Sequence, residues 1–151
     1  MTAPNRASAL RTAAANANAP FWQMVNGDGT RPYRQVIRSI EVCVASAVAA
    51  ELVLARVGFN PFAQSGAVFS NELNPNLLVN VTSKFSTAWV TPPQLGDVLC
   101  KTSLAGVVGQ KEKWEFEDGS LILSPGQSLV VWNVGAAVGP LLDVTCIFTG
   151  C

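Results

Sequence analysis

The sequence predicts an all-β fold, an antiparallel β-sandwich or barrel, and three observations support this prediction. Apolar and polar residues alternate with a period of two in several segments beyond residue 33. Turn-forming Gly, Pro, Asn and Asp residues interrupt these segments about every 8–12 residues. No long segment shows the apolar spacing of an amphipathic helix. The chain of 151 residues is also long enough to bury one core of its own.

Residues 1–32 are predicted to form an N-terminal arm and linker that precede a sandwich domain at residues 33–151. The segment from Ser8 to Ala15 favours a short helix by propensity, and the segment from Asn16 to Pro20 would end it. The arm has too few large apolar side chains to offset the entropy of ordering it alone. We therefore expect a neighbouring subunit to hold it in place.

About seven to nine short strands are predicted in the sandwich domain. The clearest alternation lies at residues 111–117, where Trp114 and Phe116 point one way and charged residues the other. Trp114 and Trp132 are therefore expected in the core. A turn region is expected from Ala45 to Ala50 and another from Ser124 to Gln127. The first strand begins near Tyr33 and has one face formed by Val36, Arg38, Ile40, Val42 and Val44. The other strands are predicted at residues 51–57, 77–90, 97–104, 121–123, 128–134 and 141–148.

The composition argues against several functional classes. Ten basic and ten acidic residues cancel, so the chain lacks the net charge that would hold nucleic acid or an anionic membrane. Pro and Gly residues break the longest uncharged stretch, so no membrane span is predicted. Histidine is absent, which removes the commonest general base and metal ligand. Only 13% of the residues are charged, which is typical of a surface that partners cover. An enzyme is not expected.

Each candidate chemical site has a simpler structural interpretation. The Cα atoms of Glu115 and Glu117 are expected about 7 Å apart on one strand face, which is near the separation of the two catalytic carboxyl groups in a glycosidase. The flanking lysines favour solvated surface charges instead. Asp28 lacks the further ligands of a calcium loop, and the segment from Gly106 to Gly109 lacks the residues of a phosphate loop. The cysteines at 43, 100, 146 and 151 have no metal-site spacing. No metal or cofactor is expected, and Cys43 and Cys146 are predicted to be buried thiols.

Five residues are predicted to bind partners. Phe21 and Trp22 would anchor the arm on a neighbouring subunit, because they sit in a loop context beside it. Arg31 and Arg34 belong to a small basic patch that suits an acidic protein surface better than nucleic acid. Trp89, close to two prolines, is the ring expected to be exposed.

The segment from Trp114 to Val134 resembles a pattern of small virion proteins of tailed bacteriophages. There, a strand leads into L-x-L-x-P-G-x-S-L-x-x-W/Y-N, which is matched here from Leu121 to Asn133. The resemblance implies a jelly-roll sandwich and supplies no catalytic residues. It implies a structural protein of the virion, assembled in the host cytoplasm, of the capsid decoration (cement) type.

The resemblance also implies partners. The chain would associate with itself, as a homotrimer, and with the major capsid protein or other virion proteins, but not with nucleic acid or a membrane. The alternative is a tail or fibre component, or a receptor- or carbohydrate-binding module. In that alternative Trp89 and its neighbouring loops would contact the receptor or glycan.

Overall fold

The computed structural model describes residues 5–26, 34–59, 64–65, 71–72, 83–89, 91–117 and 119–150, and the all-β prediction is confirmed for them. These residues form strands and no helix, so none of them belongs to a helix that could span a membrane. The strands are β1 (Asn5–Arg11), β2 (Ala19–Asn26), β3 (Gln35–Val44), β4 (Ala50–Phe59), β5 (Gln64–Ser65), β6 (Asn71–Glu72), β7 (Ser83–Ser86), β8 (Ala88–Trp89), β9 (Gln94–Leu104), β10 (Lys111–Glu115), β11 (Ile122–Leu123), β12 (Ser128–Asn133) and β13 (Leu142–Gly150).

The strands form two large antiparallel sheets and one small sheet. The first sheet has the order β10-β3-β13-β1-β6, and β11 also pairs with β3. The second sheet has the order β7-β2-β12-β4-β9, and β5 pairs with β8 in a separate two-stranded sheet. Successive long strands lie alternately in the first and second sheets from β1 to β4, so the chain crosses between the sheets at each connection.

Eight strands pair in a nested pattern that defines a jelly roll. The first, β1, pairs with the last, β13, and β2 pairs with β12. Likewise β3 pairs with β10 and β4 with β9, always antiparallel. A long hairpin of four strand pairs gives this pattern when it is rolled into two sheets.

The core lies between the two large sheets and is rich in aromatic rings. Phe148 of the first sheet contacts Phe85 of the second with ring centroids 5.7 Å apart. Trp22 extends this contact, with its ring centroid 5.9 Å from that of Phe85. Cys146 Sγ lies 3.8 Å from Met24 Sδ across the same interior. These contacts show that the sheets pack face to face, as in a sandwich.

The N-terminal residues correct the predicted arm. Residues 5–11 form β1 between β13 and β6, and residues 19–26 form β2 between β12 and β7. The weak helix propensity of residues 8–15 is outweighed because β1 pairs along its whole length with β13. A neighbouring subunit is therefore not needed to order residues 5–26, while residues 1–4 and 27–33 lie outside the described residues.

The predicted face of β3 is right only from Ile40 onward. Ile37 joins the core in place of Val36 and Arg38. The register with β13 shifts at this point, because Ser39 and Ile37 lie opposite consecutive residues and Arg38 has no opposite residue. Such a bulge reverses the alternation of side chains, and periodicity alone does not reveal it.

Most other strand predictions hold within a few residues. The turn predicted at 45–50 is confirmed for residues 45–49, since Ala50 begins β4, and the turn at 124–127 is confirmed, with Gln127 N donating to Ser124 O at 2.9 Å. Trp114 and Trp132 are buried as predicted. The strand expected at 97–104 starts earlier, at Gln94, because β4 is long enough to pair with it as far as Phe59. Part of the strand expected at 77–90, along with Asp28 and Cys151, lies outside the described residues.

Candidate interaction surface

The jelly-roll topology brings four loops to one end of the sandwich. They are residues 12–18 between β1 and β2, 45–49 between β3 and β4, 105–110 between β9 and β10, and 134–141 between β12 and β13. We call these loops the apolar loop cluster, because none of their residues is Asp, Glu, Lys or Arg. A low charge on an exposed surface favours contact with another protein.

The cluster exposes large apolar side chains. Val107 and Val108 are 64% and 61% exposed, and Val48 and Val138 are also exposed. Elsewhere in the described part of the chain, the exposed large apolar side chains are Val98 and Leu99 of β9. Alanines of the same four loops are also exposed, namely Ala13, Ala14, Ala17, Ala47, Ala49, Ala105, Ala136 and Ala137. Such a patch is typical of a protein-binding surface.

Hydrogen bonds between the loops fix their arrangement. Gly139 N donates to Ala15 O at 2.9 Å, which joins loop 134–141 to loop 12–18. Ala45 N donates to Leu141 O at 2.9 Å, and Leu141 N donates to Ser46 Oγ at 2.8 Å. Loops 12–18, 45–49 and 134–141 therefore form one connected surface that a partner meets already ordered.

Asn133, the last residue of β12, forms hydrogen bonds with two of these loops. The two hydrogens of its buried Nδ2 are shared among three carbonyl oxygens, those of Ala15 at 3.2 Å, Asn16 at 3.1 Å and Ala137 at 2.9 Å. Its Oδ1 accepts from Gly135 N at 2.9 Å. Both ends of the amide are thus satisfied inside the protein.

The loops at 45–49 and 105–110 pack backbone against backbone at Gly106. Its φ is +80°, and a Cβ added there would lie 2.6 Å from Ala49 N and 2.7 Å from Val48 C. Glycine is therefore required both for the left-handed backbone and for the close approach. Gly109 N donates to Val44 O at 2.8 Å, which ties the second loop to the end of β3.

A cleft of 340 Å³ opens beside the apolar loop cluster. Small residues of the start of β4 and of loop 134–141 line it, including Ala50, Gly135 and Ala136. Glu51 is the one charged residue of this lining. The cleft leaves space for a side chain of a docked protein next to the exposed valines.

The structure separates the residues that the sequence predicted to bind partners. Phe21 and Trp22 are buried in the core of their own chain, so they are not accessible anchors. Phe21 instead supports the cluster from inside, since a Cβ at Gly139 would collide with its ring. Arg34 is exposed but precedes β3, away from the cluster, and Arg31 lies outside the described residues. None of these residues belongs to the apolar loop cluster.

Trp89 is held against the second sheet. Its ring is half-buried, and its Nε1 donates to Gln23 Oε1 at 2.7 Å. Gln23 lies on β2, which is one strand from the edge of that sheet. Because its polar edge is occupied, Trp89 is less open than the freely exposed ring that the sequence suggested.

Arg11 and Asp143 form an ion pair next to the cluster. Arg11 Nε donates to Asp143 Oδ1 at 2.8 Å and Arg11 Nη2 donates to Asp143 Oδ2 at 3.0 Å, which joins β1 to β13. This hydrogen bonding lowers the pKa of the Asp143 carboxyl. Lys113 Nζ lies 3.1 Å from Glu115 Oε1 and both side chains are exposed, in keeping with the solvated surface charges that the sequence favoured. The described residues include no group of three or more potential metal ligands.

The thiols differ in burial. Cys146 is buried as predicted, and burial raises the pKa of its thiol. Cys43 is half-buried rather than buried, because it lies on the outward side of β3 opposite Lys111 and Asp143. Burial, and then the nearby Glu112 carboxylate, raises the pKa of the Cys100 thiol.

Comparison with known proteins gives no further assignment. No family model, curated protein or solved structure matches the chain. The candidate surface therefore rests on the geometry of its own residues. Sequence reasoning missed it, although one signal was present: four separate turn segments are rich in Ala, Gly and Val and lack charge.

Proposed function

We propose that this chain is a structural virion protein of the capsid-decoration (cement) type, which attaches to the capsid surface through the apolar loop cluster. The supporting observation is the uncharged end of the sandwich, where Val48, Val107, Val108 and Val138 stand exposed on loops that are already ordered. Permanent contacts between structural subunits are more apolar than transient ones, and charged residues are depleted at their centres.

Attachment would act mechanically. Docking removes the four valines from water, and burying the exposed part of each contributes about 1 kcal/mol. The hydrogen bonds between the loops keep the entropic cost of docking low, because little must be ordered. Many copies on one particle would add their contacts, so that the capsid gains stability from avidity rather than from one tight site.

Under this proposal, the N-terminal segment has a different role from the one predicted for it as an arm. Residues 5–11 and 19–26 belong to the sheets, and residues 12–18 between them form one loop of the cluster, so this segment is part of the folded domain rather than an arm that reaches across neighbours. The homotrimer that the resemblance implies stays a prediction. A receptor- or carbohydrate-binding role gains no support from Trp89, whose ring is half-buried and hydrogen-bonded to Gln23.

The test is binding of purified chain to capsids assembled without it. A double substitution, Val107→Asp with Val108→Asp, is expected to lower occupancy at least about tenfold, because buried carboxylates without partners cost several kcal/mol. The matched control is Thr91→Asp, which adds a carboxylate at an exposed position before the first residue of β9, at the opposite end of that strand from the cluster.

The control variant should bind as the natural chain does, and circular dichroism should show all three proteins folded. Equal occupancy by the natural chain and the double variant would refute attachment through the cluster. Absence of binding by the natural chain would refute the capsid-decoration role itself and direct attention to tail components.

A further inference from the structure

The cleft beside the apolar loop cluster shares part of its lining with the cluster. Ala49 of loop 45–49 and Ala136 of loop 134–141 belong to both. A protein that docks on the cluster therefore also covers the cleft. The cleft volume of 340 Å³ lies at the lower end of the range of about 300–1,000 Å³ for small-ligand pockets, so it suits one long side chain.

Glu51 is the only charged residue among the described residues that line the cleft. It is exposed, and it forms no ion pair with any residue that the structure describes. Lys101, on the neighbouring strand β9, lies opposite Val53 rather than opposite Glu51 and is not part of the lining. A carboxylate without a counter-ion, next to a surface without charge, favours a cationic group on the partner.

The apolar part of the lining suits the stem of a basic side chain. Ala50 and Leu104 lie opposite each other on β4 and β9, and both are buried members of the core that also line the cleft. Gly135 leaves room beside Glu51, since a Cβ added there would lie 4.0 Å from the Cβ of Glu51. Long basic side chains lay their methylene stems on apolar surface and keep the charged head near water.

We propose that the cleft receives an arginine side chain of the protein on which the apolar loop cluster docks. The guanidinium pairs with the Glu51 carboxylate, and the stem lies on Ala50 and Leu104. Arginine fits better than lysine, because its planar guanidinium matches a carboxylate and because arginine is enriched in protein interfaces. The inference rests on the proposed function, which supplies the docked protein, and it adds charge selectivity to an apolar contact.

N-butylguanidinium tests the cleft directly, since it carries the head and the stem of arginine without the rest of a partner. Titration of the natural chain, followed by NMR, should shift the amide signals of Glu51, Gly135 and Ala136 in a saturable way. Glu51→Gln removes the charge with little change of shape and should weaken this binding about fivefold, as expected for the loss of a partly exposed ion pair. The matched control is Asp97→Asn, which removes an exposed carboxylate of β9 six residues before Ser103 and should leave binding unchanged.

The uncharged analogue n-butanol separates the charge from the stem, and it should bind the natural chain and the Glu51→Gln variant equally. Equal affinity of these two proteins for N-butylguanidinium would overturn the inference, and so would amide shifts confined to residues outside the cleft. The Val107→Asp, Val108→Asp variant should bind N-butylguanidinium like the natural chain, because neither residue lines the cleft. Failure of this inference and failure of capsid attachment therefore give different results.

Discussion

At the scale of single residues, Asn133 shows how one amide determines the shape of the candidate surface. Its Nδ2 holds the carbonyl groups of loops 12–18 and 134–141, and its Oδ1 holds Gly135 N. The sequence placed this residue at the end of the Pro-Gly pattern but gave it no role. Its role depends on carbonyl groups of Ala15 and Asn16, which lie far away along the chain, so local pattern could not reveal it.

Substitution of Asn133 is therefore expected to be costly. Asn133→Ala should lower the free energy of unfolding by about 2–3 kcal/mol, because the half-buried carbonyl groups of Asn16 and Ala137 lose this donor and Gly135 N loses its acceptor. Asn16→Ala is the control, since this side chain is exposed in the same region, and it should change stability by less than about 0.5 kcal/mol. Urea unfolding measures both. Equal stability of the two variants would contradict the conclusion that the Asn133 side-chain hydrogen bonds stabilise the loops.

At the scale of elements, the alternation of apolar and polar residues predicted strands well where one face is buried and the other is exposed to solvent. Residues 111–115 follow this rule, with Trp114 buried between exposed charged residues. Strand β1 does not, because its small residues favour a helix locally and become a strand only through pairing with β13. The bulge at Arg38 escaped prediction for a similar reason, since a register shift is a property of two strands together.

The contact between loops 45–49 and 105–110 can be tested with a pair of glycines. Gly106→Ala should cost at least about 2–3 kcal/mol, because its Cβ would meet the backbone of Ala49 and Val48. Gly109→Ala should cost only about 1 kcal/mol for its left-handed backbone, since φ is +91° and no atom lies within 4 Å of the added Cβ. Thermal unfolding compares them. Similar losses would mean that the two loops do not pack as closely as the structure indicates.

At the scale of the whole molecule, the fold class followed from the sequence and the candidate surface did not. Composition indicated a surface that partners cover, but it could not say where that surface lies. The four loops are separated along the chain and are unremarkable one by one. Only the nested pairing, from β1 with β13 inward to β4 with β9, brings them to one end.

The nested pairing also reverses an expectation about the N-terminus. If residues 1–32 were an arm, deletion of residues 2–20 would spare the fold and weaken assembly. Because that deletion removes β1 from the first sheet and the start of β2 from the second, we expect it to abolish the cooperative unfolding transition.

Ala9→Lys is the control for this deletion, since it alters β1 at an exposed position without removing the strand, and it should unfold cooperatively. Differential scanning calorimetry measures the transition in both proteins. A folded deletion variant would contradict the placement of β1 and β2 within the sheets.

The pairing of β1 with β13 has a consequence for synthesis on the ribosome. Arg11 and its partner Asp143 are 132 residues apart, so the N-terminal strand emerges long before the strand that covers it. Until then β1 lacks its neighbour, and the first sheet cannot close from local contacts alone. Translation speed and chaperones that shield nascent strands should therefore govern the yield of folded chain more than its final stability does.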